Sequence, residues 1–110
     1  MPNTNMVILE GHLGKKPEAK EFKSGVVCCN FTLATTMGKG EKAKTQWHQC
    51  KVWGSQATDL ALNADKGDVV SLKGRIEYRE YEKKWYTEII ADMVHMTKKG
   101  KGESNEFVAE

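Results

Sequence analysis

A chain of 110 residues, 39% hydrophobic and 29% charged, fits one compact domain with a real core. No apolar run approaches the roughly 18 residues of a membrane span, and the N-terminal MPNTNMVILEGHLG lacks a basic leader, a long apolar stretch and a cleavage site, so a cytoplasmic protein without membrane contact is expected. Three cysteines without a CxxC, and three scattered histidines, read as buried thiols in a reducing compartment and exclude a metal or cofactor site.

The net charge of +2 hides an asymmetry. Residues 1–102 carry 17 bases and 12 acids, and residues 103–110 carry Glu103, Glu106 and Glu110 with no base. A basic body with a short acidic end is compatible with nucleic-acid binding, although charge alone favours an ordinary solvated surface.

The dominant period is two. Met6 to Leu13 alternates, with Val7, Leu9, Gly11 and Leu13 on one side and Met6, Ile8, Glu10 and His12 on the other. Gly14 and Pro17 end that strand. A turn at Lys23-Ser24-Gly25 leads into VVCCNFTLATT, where Val27, Cys29, Phe31 and Leu33 share a face. The segment 37–44, MGKGEKAK, reads as a mobile basic hairpin loop holding Lys39, Lys42 and Lys44.

The third strand, TQWHQCKVWG at 45–54, is the most informative stretch. His48, Cys50 and Val52 point one way, and Trp47, Gln49, Lys51 and Trp53 the other. The first set suits a barrel interior. The second mixes large π-surfaces with a cation and an amide. A core would reject Lys51, and a plain solvent face would not usually hold two tryptophans.

Next, SQATDLALNADKG at 55–67 breaks the pattern. Ala57, Leu60, Ala61 and Ala64 follow helical spacing, with Ser55 as N-cap and Gly67 as stop. A fourth strand runs from about Val69 to Tyr81. Val70, Leu72, Gly74, Ile76 and Tyr78 lie on one face, and Ser71, Lys73, Arg75, Glu77, Arg79 and Tyr81 on the other. Glu82, Lys83 and Lys84 form the turn, and WYTEIIADMVHM is the fifth strand. Trp85 and Tyr86 fall on opposite faces, so at least one is structural, and Met93 and Met96 read as core or interface filler. Lys98, Lys99 and Lys101 begin a short disordered tail at 98–110.

Three strands, a helix and two strands define an all-β chain: a five-stranded OB-fold barrel over residues 1–97, with one helix between the third and fourth strands. The outward set on the third strand suits a groove for unpaired bases, because every base has a π-face and cations neutralise the phosphates between. Lys73, Arg75, Arg79 and Tyr81, the basic loop and the tip residues Lys83, Lys84 and Trp85 show the same mixture. On pattern alone a protein interface, where aromatics are also enriched, and simple core packing remain open. A nuclease would need clustered carboxylates for metal ions, and the acids here are scattered, so no enzyme is expected.

Several segments together resemble the bacterial-type single-stranded DNA-binding proteins. They are NMVILEGHLGKKPE, with its G-x-L-G strand end, FTLATT, TQWHQCKVWG, KGDVVSLKGRIEYREY and WYTEIIAD, in the family's order over about residues 3–97. The resemblance implies non-enzymatic binding and protection of single-stranded DNA during replication, recombination and repair. It implies base stacking by Trp47, Trp53 and Tyr81, and a homotetramer or a dimer in which the first strand pairs with its copy. His48 takes the position of the family's W-H histidine, close to a subunit interface.

Three departures accompany the match. The loop 37–44 has no aromatic, and the hairpin at Tyr81–Trp85 is short. The C-terminal KKGKGESNEFVAE lacks the family's long linker and final Pro-Phe, which leaves open whether replication or repair enzymes dock through that tip. A compact phage or mobile-element member fits this pattern, and so does a truncated chain.

Overall fold

The computed structural model describes residues 2–97. The elements are β1 (Val7–Leu13), β2 (Glu18–Glu21), β3 (Val27–Met37), a 3-10 turn at Gly40–Lys42, β4 (Lys44–Trp53), α1 (Ser55–Asn63), β5 (Val69–Tyr81) and β6 (Lys84–Thr97). The strands run β1-β5-β6-β4-β3, and β3 returns to β1 through His12↔Ala34 and Leu13↔Leu33. This closes a five-strand barrel, the OB-fold expected from the strand order. All pairs are antiparallel except β4 with β6, which run parallel through Cys50↔Ile89, Lys51↔Ile90 and Val52↔Ala91.

Alternation places the core as read from sequence. Leu13, Cys29, Phe31, Leu33, Cys50, Val52, Val70 and Leu72 turn inward, and Ala57, Leu60 and Ala64 of α1 close the cluster. Burial pushes the Cys50 thiol up to about 12 and Cys29 up to about 11, so both stay protonated and behave as small hydrophobes.

Four features go beyond the sequence reading. β2 is a strand on the far edge of β3, pairing Glu18↔Asn30 to Glu21↔Val27. Its residues, EAKE, are all exposed, so no apolar alternation announces it. The helix starts one residue earlier than an N-cap at Ser55 requires. Gly54 is the cap, at φ 85° and ψ −151°, a region open essentially to glycine alone, and no side chain caps the helix. The helix stops at Asn63, not at Gly67. Lys16 Nζ donates to the carbonyls of Ala61 and Ala64 at 3.1 and 2.9 Å, tying off that end. Gly67 instead takes φ 88° in the following turn and donates its N–H to Leu13.

The fourth feature is a bulge in β6. Lys73 faces Met93, yet Gly74 faces Ala91, so Asp92 is an extra residue. Ile89 and Ala91 therefore point inward before it, and Val94 and Met96 pack on the core after it, while Met93 is exposed. The Gln56 side chain serves both backbone groups freed by the bulge. It donates to the Asp92 carbonyl at 2.9 Å and accepts from the Val94 N–H at 2.8 Å. Asn5 does the same for β1, exchanging two bonds with the Ile76 backbone where a further β1 residue would pair.

The β5–β6 hairpin turns on only two residues, Glu82 and Lys83, at φ 51° and 66°. Positive φ at both positions is the type I′ backbone, which favours Asn-Gly. The double change Glu82→Asn, Lys83→Gly is expected to stabilise the chain by about 1 kcal/mol, raising the thermal midpoint by roughly 5 °C. A calorimetric scan checks this, and an unchanged or lowered midpoint contradicts the turn assignment. Residues 98–110, expected as a tail, lie outside the described residues.

Candidate nucleic-acid interface

The outer surface of β4 carries Trp47, Gln49, Lys51 and Trp53, facing Ala34, Thr32, Asn30 and Cys28 of β3. These neighbours are small, so the rings stand clear: Trp47 is 59% exposed and Trp53 43%. Gly14 leaves room for the Trp47 ring, since a Cβ there would lie 2.6 Å from it. Beneath this surface Cys28 and Ile90 are buried yet outside the core cluster. They form an apolar floor on the outer face, under Lys51, Trp53 and Arg75. Burial raises the Cys28 thiol despite Lys51 nearby, so it is not a thiolate nucleophile.

A chain of contacts crosses this face. Arg79 lies 5.4 Å from the Tyr86 ring centroid, and its Nε is 3.5 Å from Glu88 Oε1. The other oxygen of Glu88 is 3.6 Å from Lys51 Nζ, and Lys51 lies 5.8 Å from the Trp53 ring centroid. Trp53 packs at 5.8 Å on Phe22, over which Lys20 sits. Each of these cations thus rests against a ring, from β5 to the turn after β2, the arrangement that stacks bases and meets phosphates.

Arg75 is paired with Glu77 at 3.0 Å and with Asp92 at 3.5 Å. Among the described residues, Lys39, Lys42, Lys44, Lys83 and Lys84 make no ion pair. They mark the tips of two hairpins that leave the barrel in the same direction, because β4 and β6 are parallel. Tyr81, 57% exposed, faces Lys84 at the second tip.

Two expected residues fall elsewhere. Lys73 lies beyond the bulge, between Ile8 and Met93 in the ladder. It borders an apolar depression of about 320 Å³ rather than the tryptophan face. Trp85 pairs with Glu80 and shares the reverse face of the hairpin with Tyr78, while Tyr86 takes the face of Arg79. Tyr86 and Phe22 join the ring-and-cation chain although neither is among the binding residues expected from sequence. Phe22 lies in a turn, outside any alternation. For Tyr86 the turn length held the signal, because a two-residue turn sets the parity of β6. His48 is half-buried, with Nε2 2.9 Å from Thr35 Oγ1. Among the described residues no group of three His, Cys, Asp or Glu could hold a metal ion.

A family model described as the single-strand binding protein family matches residues 4–97. Single-stranded DNA-binding protein 1 of Chlorobaculum tepidum is 36% identical, over 84% of this chain and 64% of its own length. Single-stranded DNA-binding protein 1 of Synechocystis is 32% identical, over 73% of this chain and 67% of its own. Single-stranded DNA-binding protein 2 of Clostridium acetobutylicum is 35% identical, over 94% of this chain and 84% of its own. The chain thus spans about two thirds of the length of the first two.

Proposed function

The chain belongs to the single-strand binding protein family, and from that premise we propose that it binds and protects single-stranded DNA with little sequence preference, in replication, recombination and repair. The observation that carries this reading is the outer face of β4, where Trp47 and Trp53 stand exposed beside cations. Ring faces accept any base, and lysines and arginines meet phosphates without reading sequence. No covalent step is involved: the carboxylates on this face, Glu77, Glu88 and Asp92, each stand against an arginine or lysine. The setting is the cytoplasm, and among the described residues no helix is long and apolar enough to cross a membrane.

Titration with oligo-dT, followed by tryptophan fluorescence, tests the reading. Quenching is expected, with log K falling by about 0.7 per phosphate neutralised as log salt rises. Absence of quenching, or an affinity flat in salt, would refute it.

The self-assembly belongs to a second surface. β1 meets β3 only at His12 and Leu13, so its edge from Val7 to Glu10 has no strand partner among the described residues. Beside it Met6, Ile8 and Met93 are 55%, 71% and 63% exposed. An open edge next to an apolar patch suits pairing with a second copy. The chain assembles through it as a dimer or a homotetramer. Native mass measurement is expected to give a multiple of the chain mass for the wild type and a monomer for Ile8→Glu. A monomeric wild type overturns the assembly.

A further inference from the structure

The binding face holds an anion where a polyanion is to be bound. Glu88 is the only residue that touches both Lys51 and Arg79 in ion pairs among the described residues. It uses one carboxylate oxygen for each, at 3.6 and 3.5 Å. Its side chain is 18% exposed, and that of Lys51 22%, so solvent screens the Lys51 pair less than a surface pair. Both cations rest against rings of the same face, Lys51 by Trp53 and Arg79 by Tyr86. With the anion in place, the trio carries one net positive charge rather than two.

Resting on the single-strand reading above, we infer that Glu88 is a resident counter-anion and positioning residue of the face. It holds Lys51 and Arg79 against their rings in the free protein, and binding exchanges its carboxylate for backbone phosphates. The strand then gains two cation contacts but must displace one anion. The face consequently binds less tightly than its cations alone allow, and a strand segment leaving it meets a carboxylate ready to replace the phosphate.

The test compares wild type, Glu88→Gln and Glu88→Asp in oligo-dT titrations over a salt series, with thermal unfolding of each in parallel. Glu88→Gln keeps the size of the side chain and removes the charge. It is expected to bind roughly three- to tenfold more tightly at low salt, and to steepen the slope of log K against log salt by about 0.7, one further phosphate neutralised. Glu88→Asp keeps the charge and is expected to retain the wild-type slope. A purely structural role would not steepen the slope. Should Glu88→Gln unfold, Glu88→Thr makes the same charge change with a residue suited to strands, and carries the same expectation. A folded neutral variant with an unchanged or shallower slope, or weaker binding, overturns the inference. A wild type that does not bind oligo-dT overturns the single-strand reading on which it stands.

Discussion

Replacing Trp47 with alanine is expected to weaken oligo-dT binding by about 5- to 150-fold, the cost of one lost stacking platform at roughly 1–3 kcal/mol. Trp53→Ala should cost a similar amount. The two rings sit six residues apart on one strand, roughly 20 Å, too far to touch, so their effects should add. The double variant would then lose between about 30-fold and 10⁴-fold. Both rings are more than two-fifths exposed and outside the core cluster. Stability should therefore change little for Trp47→Ala. Trp53→Ala should cost somewhat more, since Trp53 also faces Cys28 and packs on Phe22. Trp47→Phe should keep much of the affinity because it keeps a ring. Titrations at fixed salt, with thermal midpoints measured alongside, decide the matter. Unchanged affinity in both single variants would show that strands do not stack on β4.

Alternation makes this face legible in the sequence. His48, Cys50 and Val52 inward and Trp47, Gln49, Lys51 and Trp53 outward is a consequence of the two-residue period, and the closed barrel keeps it. What escaped were the places where one residue changes the count. Reading residues 82–84 as a three-residue turn sets Trp85 beside Tyr81. The actual two-residue turn pairs Tyr81 with Lys84, which sends Trp85 to the reverse face and brings Tyr86 to Arg79. Asp92 is a second miscount, hidden because no glycine or proline in IIADMV marks a break in the strand. Ion pairing was illegible for another reason. Lys51 and Glu88 are distant in sequence and meet only because β4 and β6 run side by side. Three expected phosphate contacts, Lys51, Arg75 and Arg79, therefore arrive already partnered.

The largest loss of stability is expected from Gly74→Ala. A Cβ at Gly74 would run into the Ile90 carbonyl oxygen and stand 2.8 Å from Ala91 Cα, both backbone atoms of the neighbouring strand. That strand has little freedom to retreat. Ile90 is flanked by Lys51 on one side and Arg75 on the other, and Gln56 holds the bulge at Asp92 and Val94. Overpacking against fixed backbone should cost about 3 kcal/mol or more, out of a total stability on the order of 5–15 kcal/mol. The urea midpoint should fall by roughly 1–3 M. Gly25→Ala is the control: it meets nothing within 4 Å, so only its φ of 92° opposes a side chain, and a smaller loss is expected. A Gly74→Ala midpoint no lower than that of Gly25→Ala would mean that β5 and β6 can separate at the bulge. Gly74 also faces the strand that floors the binding surface through Ile90 and bears Glu88. Any folded fraction of Gly74→Ala should therefore bind oligo-dT poorly. Stability and affinity fail together at Gly74, whereas at Trp47 affinity fails alone, and that contrast separates the barrel that holds the face from the rings that use it.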